Sequence, residues 1–250
     1  MRNLDEWIKE LCPDGVEYHT LGEIGKFYYG LNGKKKEDFI DGNAIFISYI
    51  NVRSNSTINI DVDNRVRIRE KEKQNTVQYG DILFTRSAKT LDKCGVSSVL
   101  TKHTEQKLYL NSFCLGYRFN DVSMFLPDFS KHLFRSAKLR YQIIKAANGA
   151  TRFSIPKKKM ETVKIPVPPI DIQREIVHIL DQFTALTAEL AAELAARKQQ
   201  YEYYKDSDNT VKQKTMDSIF DITEGLPAEI AARQQQYEYY RDKLLTFKEK

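Results

Sequence analysis

The stretch NGATRFSIPKKKMETVKIPVPPIDIQREIVHILDQ, residues 148–182, joins two chemically different halves of the chain. Upstream of it, short β-like runs are broken by Gly, Asn and Asp; downstream, two long polar and apolar helical repeats take over. Pro166, Pro168 and Pro169 are incompatible with a helix interior or a central strand. Residues 165–169 are therefore predicted to form an extended connector, with Pro169 close to a helix start. The helical period opens at Ile170. This places an N-terminal domain at residues 1–165, a connector and long helix at 166–206, a polar linker at 207–225 and a second helix at 226–250.

Upstream of the joint, residues 122–147 carry Phe125, Phe129, Leu133, Phe134, Leu139, Ile143 and Ile144 near helical spacing, and predict helix packed on a sheet. Lys131, Arg135, Lys138, Arg140 and Lys145 lie along it, and Asn148-Gly149 ends it with a left-handed cap. Strand-like runs at 44–50, 57–60, 65–68, 81–85, 96–100 and 112–119 are rich in Val, Ile, Phe and Tyr. Leu4, Trp7, Ile8 and Leu11 form a short opening helix that Pro13-Asp14-Gly15 stops. The fold class is α+β: a mixed, mainly-β domain with packed helices, followed by long coiled-coil helices.

Downstream, Ile172, Ile176, Ile179, Phe183, Leu186 and Leu190 step by four and three, a coiled-coil seam. The further step to Leu194 is again four, a stutter produced by the consecutive units Thr187-Ala188-Glu189-Leu190 and Ala191-Ala192-Glu193-Leu194. Each unit lengthens a helix by about 6 Å and turns the residues beyond it by roughly 40°. The chain then repeats itself. AELAARKQQYEYYKD at 192–206 recurs as AEIAARQQQYEYYRD at 228–242, changed at Leu194/Ile230, Lys198/Gln234 and Lys205/Arg241. Pro227 is placed to open the second of these helices.

Three polar patches suit contact with nucleic acid. In the first, Tyr28, Tyr29, Gly30, Asn32, Gly33, Lys34, Lys35 and Lys36 share one loop, either a phosphate clamp or a solvated turn. Asn51 and Arg53 lie in a second, and Arg86, Ser87 and Lys89 in a third; Arg pairs bidentately with guanine and Asn with adenine. Arg65, Arg67 and Arg69 alternate along one strand face, which is either solvated or phosphate-facing.

With 39 Lys+Arg against 34 Asp+Glu, the 250-residue chain is mildly basic, which permits nucleic-acid binding without establishing it. Cys12, Cys94 and Cys114 are widely spaced and show neither a zinc pattern nor a disulfide framework. No apolar run is as long as a membrane span and no signal-peptide core follows Met1, so a cytoplasmic protein is expected. Catalytic signatures are missing too. Gly30-Leu31-Asn32-Gly33-Lys34 fails the phosphate-loop spacing, Val167-Pro168-Pro169-Ile170 is not a methyltransferase motif, and His19, His103, His132 and His178 are scattered.

The Gly149-Ala150-Thr151 loop, the Lys157, Lys158, Lys159 run, the Ile-Pro-Val-Pro-Pro connector and the Gln173-Arg174-Glu175-Ile176-Val177 helix start together resemble the specificity subunits of type I restriction-modification systems. Leu11-Cys12-Pro13-Asp14-Gly15 and Gly80-Asp81-Ile82-Leu83-Phe84 resemble the same family's target-recognition domain. The resemblance implies a non-catalytic subunit that reads half of a bipartite target in double-stranded DNA. The helical spacer then sets the distance between half-sites. Its implied partners are methyltransferase subunits and, in the nuclease form, an endonuclease-translocase. S-adenosylmethionine, ATP and Mg belong to those partners, with no cofactor in this chain. The resemblance also places Thr151 and Arg152 among the base contacts and Lys157 and Lys158 among the phosphate contacts, beside Tyr29 and the loops above.

A complete subunit of that family has two recognition domains, and this chain has one. Two chains therefore pair as a homodimer on an interrupted palindrome, or the second helix folds back in cis on the first and leaves a monomeric half. A reading of another class is a truncated, rearranged coiled-coil decoy without specific DNA recognition.

Overall fold

The computed structural model describes residues 10, 12–205 and 212–250, with side chains outside 204–224. The opening helix expected from Leu4, Trp7, Ile8 and Leu11, and residues 207–211 of the expected linker, lie outside the described residues.

Strand β1 (Glu17–Thr20) and the one-turn helix α1 (Leu21–Ile24) lead into β2 (Gly25–Tyr29), and a 3-10 turn at Lys36–Phe39 precedes β3 (Ala44–Ile47). The run predicted as one strand over 44–50 divides, because Ser48 caps a helix: its Oγ accepts from the Asn51 amide at 3.2 Å and starts α2 (Tyr49–Ser54). The run at 57–60 keeps only a bridge from Thr57 to Val99, since the Asn51 side chain bonds both the amide and the carbonyl of Asn59. Next come β4 (Arg65–Val66), β5 (Thr76–Val77), β6 (Ile82–Thr85), β7 (Ser87–Ala88), β8 (Ser97–Val99), β9 (Leu108–Leu110) and β10 (Cys114–Phe119). The helical segment expected over 122–147 is two helices, α3 (Pro127–Leu133), opened by its proline, and α4 (Ala137–Lys145), set off by the extended Ser136. Strand β11 (Phe153–Ser154), α5 (Lys157–Met160) and β12 (Lys164–Val167) complete the domain.

Two four-stranded sheets carry it. One, antiparallel, has the order β2-β10-β6-β8; the other, with β3 and β9 parallel, has the order β4-β3-β9-β5. Strand β6 is buried on both faces. Ile82 and Phe84 belong to the core shared with the helices, and Leu83 to the core shared with the second sheet, which explains its unbroken apolar run. At its start Gly80, with φ at 83°, makes the turn, and the carboxylate of Asp81 is fully buried. Arg118 grips that carboxylate bidentately, from Nε at 2.7 Å and from Nη2 at 2.6 Å, while Tyr28 donates to it at 2.7 Å and the Gln78 amide at 2.8 Å. The network locks β2, β6 and β10 in register.

The prolines behave as expected. β12 pairs only with β1, Pro166 opposite Tyr18, so the missing amide costs no central ladder bond. Helix α6 (Ile170–Lys205) then runs 36 residues, about 54 Å at helical rise. Its Gln173 is fully buried and staples the helix root to the domain: its Oε1 accepts from the Leu126 amide, and its Nε2 donates to the Met124 and Pro168 carbonyls at 2.9 Å.

Helix α7 (Lys212–Leu244) runs back along α6, Tyr240 stacking on Phe183 at 4.9 Å. Three expectations change here. Residues 212–225 are helical rather than linker, and Pro227 lies inside α7 rather than at its start, packing along α6 outweighing the lost donor. Leu186 is 37% exposed and lies outside the seam; Leu180, Phe183, Thr187, Leu190 and Leu194 hold the inward positions instead. With Thr187 in the seam the steps of four and three run on without a stutter. The chain then returns to the domain. Leu244, Leu245 and Phe247 enter the core beside Val16, Ile165 and Ile176, and the Phe247 carbonyl accepts from Tyr18 at 3.0 Å.

His132 on α3, also buried, ties the domain to both helices. Its Nε2 meets Asp181 Oδ1 of α6 at 2.8 Å and its Nδ1 meets the Tyr237 hydroxyl of α7 at 2.9 Å. The carboxylate can only accept, so Nε2 carries the proton and Nδ1 accepts from Tyr237. Lys131 bonds the same Asp181 and also Asp128.

Substitutions in these networks have defined outcomes. Asp81→Ala strands the Arg118 guanidinium and is expected to lower stability by about 3 kcal/mol, seen as a lower urea midpoint. Burial holds the His132 pKa below its ordinary 6.5 despite the hydrogen bond to Asp181. The unfolded chain therefore takes up a proton that the folded chain refuses, so this contribution is complete above pH 6.5 and is lost as pH falls through the lowered folded pKa. His132→Gln should flatten that part of the stability profile, measured as unfolding midpoint against pH.

Candidate nucleic-acid interface

The short pairing of β11 with β7 decides where the site forms. Phe153 lies opposite Ala88 and Ser154 opposite Ser87, while the Ile155 amide bonds the Arg86 carbonyl at 3.0 Å and the Arg86 amide bonds the Phe113 carbonyl at 2.9 Å. Behind β11 the chain closes a small loop on itself, with Asn148 and Ser154 exchanging two backbone bonds of 2.8 Å. Gly149 makes that loop possible: its φ is 125°, and a Cβ there would meet the Arg152 carbonyl oxygen at 2.1 Å. The glycine thus turns the loop rather than capping α4, which ends earlier at Lys145.

The three segments and the start of α2 enclose a cleft of about 710 Å³. Arg53, Ser87, Lys89, Thr151 and Arg152 line it, together with Tyr49, Ala88, Lys93 and Phe113. Arg86 adjoins it, lying 5.4 Å over the ring of Tyr29, and Arg152 lies 5.5 Å over the ring of Phe113. Neither distance implies a spent charge. Arg53, Arg86, Lys89, Lys93 and Arg152 make no ion pair among the described residues. Cys114, at the base of β10 opposite Thr85, is inert, its thiol pushed up to about 12 by burial. Among the described residues no group of His, Cys, Asp and Glu is placed to hold a metal ion.

Other cations are committed elsewhere. Lys34 is only 6% exposed in its side chain and pairs with Glu72 at 2.6 Å, holding that carboxyl down at about 2, and it also donates to the Arg67 carbonyl. It is a structural residue rather than a phosphate clamp. Asn32 lines the same separate depression, its backbone bonded by the Gln74 amide group, whereas Lys35 and Lys36 are exposed beside it. Asn51, expected on a base-reading loop, is buried, and its side chain is used up on Asn55 and Asn59. Lys157 sits 3.8 Å from Glu161 on α5, with Lys158 exposed next to it, and neither lines the cleft.

On the β4 edge, Arg65 pairs with Asp63 and Arg67 approaches Asp41 at 3.7 Å. Arg135 and Arg140 are spent on backbone carbonyls, of Ser97 and Asn55 and of Asp92 and Cys94. Of the residues expected at a site, the fold gathers Tyr29, Arg53, Arg86, Ser87, Lys89, Thr151 and Arg152. It adds three that were not singled out, Tyr49, Lys93 and Phe113. Tyr49 lies within a patch already marked by Arg53; Lys93 sits in an irregular turn, and Phe113, expected inside the strand-like run 112–119, lies in the turn just before β10.

Residues 13–197 match the family described as Type I restriction modification DNA specificity domain. The specificity subunit of the Escherichia coli type I restriction enzyme EcoR124I/EcoR124II is 29% identical over 205 residues, which are 76% of this chain and 47% of that subunit. A putative type I specificity subunit of Mycoplasma pneumoniae is 27% identical over 130 residues, 51% of this chain and 29% of its own. Two crystal structures share the fold. The type I S subunit of M. genitalium superposes with a TM-score of 0.50 at 16% identity, covering 76% of this chain and 45% of that one. The HsdS subunit of Thermoanaerobacter tengcongensis gives 0.51 at 18% identity, over 77% and 47%. The chain thus spans about half the length of these relatives, or less. With most of its length matched and its fold held in common, the chain belongs to the type I restriction-modification DNA specificity family.

Proposed function

We propose that the chain is a DNA-reading subunit that recognises one half of a bipartite target through the cleft between β7, β10 and β11, and lends that specificity to partner subunits. One observation carries the reading. Five cations that make no ion pair among the described residues, Arg53, Arg86, Lys89, Lys93 and Arg152, collect around one cleft together with the rings of Tyr29, Tyr49 and Phe113, whereas Lys34 and Arg118 are spent on Glu72 and Asp81. Unpaired cations beside exposed rings fit a polyanion whose bases stack and accept hydrogen bonds.

The chain does no chemistry in this reading. Methyl transfer, with S-adenosylmethionine, and ATP- and Mg-dependent cleavage belong to methyltransferase and endonuclease-translocase subunits docked along the paired helices, where Leu186 and Tyr239 are exposed. Because α7 already lies in cis on α6, the chain is proposed to be a monomeric half rather than a helix-exchanged homodimer. A complete target then needs a second recognition domain brought in by the assembly. A decoy that keeps the helices and lacks DNA selectivity is the competing reading. It leaves the unpaired cluster without a use.

Light scattering of the purified chain is expected to give the mass of one chain, and of a larger complex once methyltransferase subunit is added. A stable dimer alone would reject the monomeric half, and failure to bind the methyltransferase would favour the decoy. Duplex binding titrated against salt is the second check. Lys89→Ala and Lys93→Ala should each flatten the slope of log affinity against log salt by about 0.9. Lys34→Ala should leave that slope unchanged and instead lower the unfolding midpoint.

A further inference from the structure

The side chains lining the cleft are strongly biased in one respect. Arg53, Lys89, Lys93 and Arg152 bring only N–H donors, Tyr49, Ser87 and Thr151 bring hydroxyls, and no Asp, Glu, Asn or Gln lines the same surface. The carboxylate that best accepts from a cytosine amino group and the carboxamide that pairs bidentately with adenine are both missing from this lining. Guanine is different. Its N7 and O6 are two adjacent acceptors, and they match the two parallel N–H groups of a guanidinium.

Arg152 is the guanidinium prepared for that role. Its loop is fixed by the paired backbone bonds between Asn148 and Ser154, and its head lies over the Phe113 ring. Phe113 is 49% exposed, so its ring serves the surface rather than the core, and its backbone is bonded to Arg86, which lies over Tyr29 in the same manner. A flexible arginine loses rotamer freedom when it binds a base; one already seated on a ring loses less.

We infer that the half-site read by this cleft contains a guanine recognised by Arg152, and that Phe113 is a positioning residue that holds Arg152 toward it, with Tyr29 holding Arg86 likewise. This rests on the DNA-reading function proposed above and assigns it a base and a residue that sets specificity.

The test is selection of duplexes from a randomised pool by the full chain bound to its methyltransferase subunit, followed by binding of the preferred duplex. The enriched half-site should contain a guanine whose preference falls about tenfold in Arg152→Ala and in Phe113→Ala. It should persist in Phe113→Tyr, which keeps a ring. Replacing that guanine by 7-deazaguanine removes the N7 acceptor and should weaken the wild type by about tenfold while leaving Arg152→Ala unaffected. A half-site without guanine, or a Phe113→Ala protein with wild-type preference, overturns the inference and leaves DNA reading intact. If the wild-type complex enriches no sequence, DNA reading falls, and the inference falls with it. Unfolding midpoints of both Phe113 variants within a few degrees of wild type show that preference, not folding, is being read.

Discussion

The arrangement of the whole molecule depends on the buried imidazole of His132. It stands on α3, within the recognition domain, yet its two nitrogens are bonded to Asp181 on α6 and Tyr237 on α7. Burial opposes a charged imidazole, and Asp181, flanked by His132 and Lys131, keeps its own pKa lowered even though burial opposes its ionisation. A neutral ring with one donor and one acceptor satisfies both partners at once. Gln173 does the corresponding work at the helix root, where one amide serves the Leu126 amide and the Met124 and Pro168 carbonyls. Through these two side chains the direction of a 36-residue helix is referred to the sheets.

The internal repeat shows how little a local sequence settles by itself. Both copies form helix and even share an internal ion pair, Arg197 with Glu193 at 3.6 Å and Arg233 with Glu229 at 3.5 Å. Their surroundings differ because the segments C-terminal to them differ. The first copy leads into Ser207-Asp208-Asn209, while the second leads into Lys243-Leu244-Leu245-Thr246-Phe247. Leu244, Leu245 and Phe247 are buried in the domain core, each stabilising it by roughly 1.5–3 kcal/mol, and Asp242 accepts from the Ala137 amide at the start of α4. The apolar plug, not the repeat, selects which copy docks.

The cleft obeys the same logic. A lysine or arginine in a sequence carries a charge whose partner is invisible, and the fold spends several of these charges internally: Lys34 on Glu72, Arg118 on Asp81, Lys131 on Asp181. Arg53, Lys89, Lys93 and Arg152 instead line one cleft, where two residues of β11 meet two of β7, a pairing too short to be seen as periodicity in the chain.

By itself the sequence determined the class of the molecule and its joint. The prolines of residues 165–169 are incompatible with helix interior and central strand alike, the steps of four and three beyond them allow only a long amphipathic helix, and Arg86, Ser87, Lys89, Thr151 and Arg152 stand out as polar residues in short irregular segments. Tertiary structure alone decided that Thr187 rather than Leu186 faces the seam, that residues 212–225 are helix, that Asn51 and Lys34 are structural, and that Phe113 belongs to the cleft. The physical reason is one of range. Helical period and proline geometry act over a few neighbouring residues, whereas burial, ion pairing and the cation-ring contacts of Arg86 and Arg152 depend on segments distant in the chain, which only the folded sheets bring together.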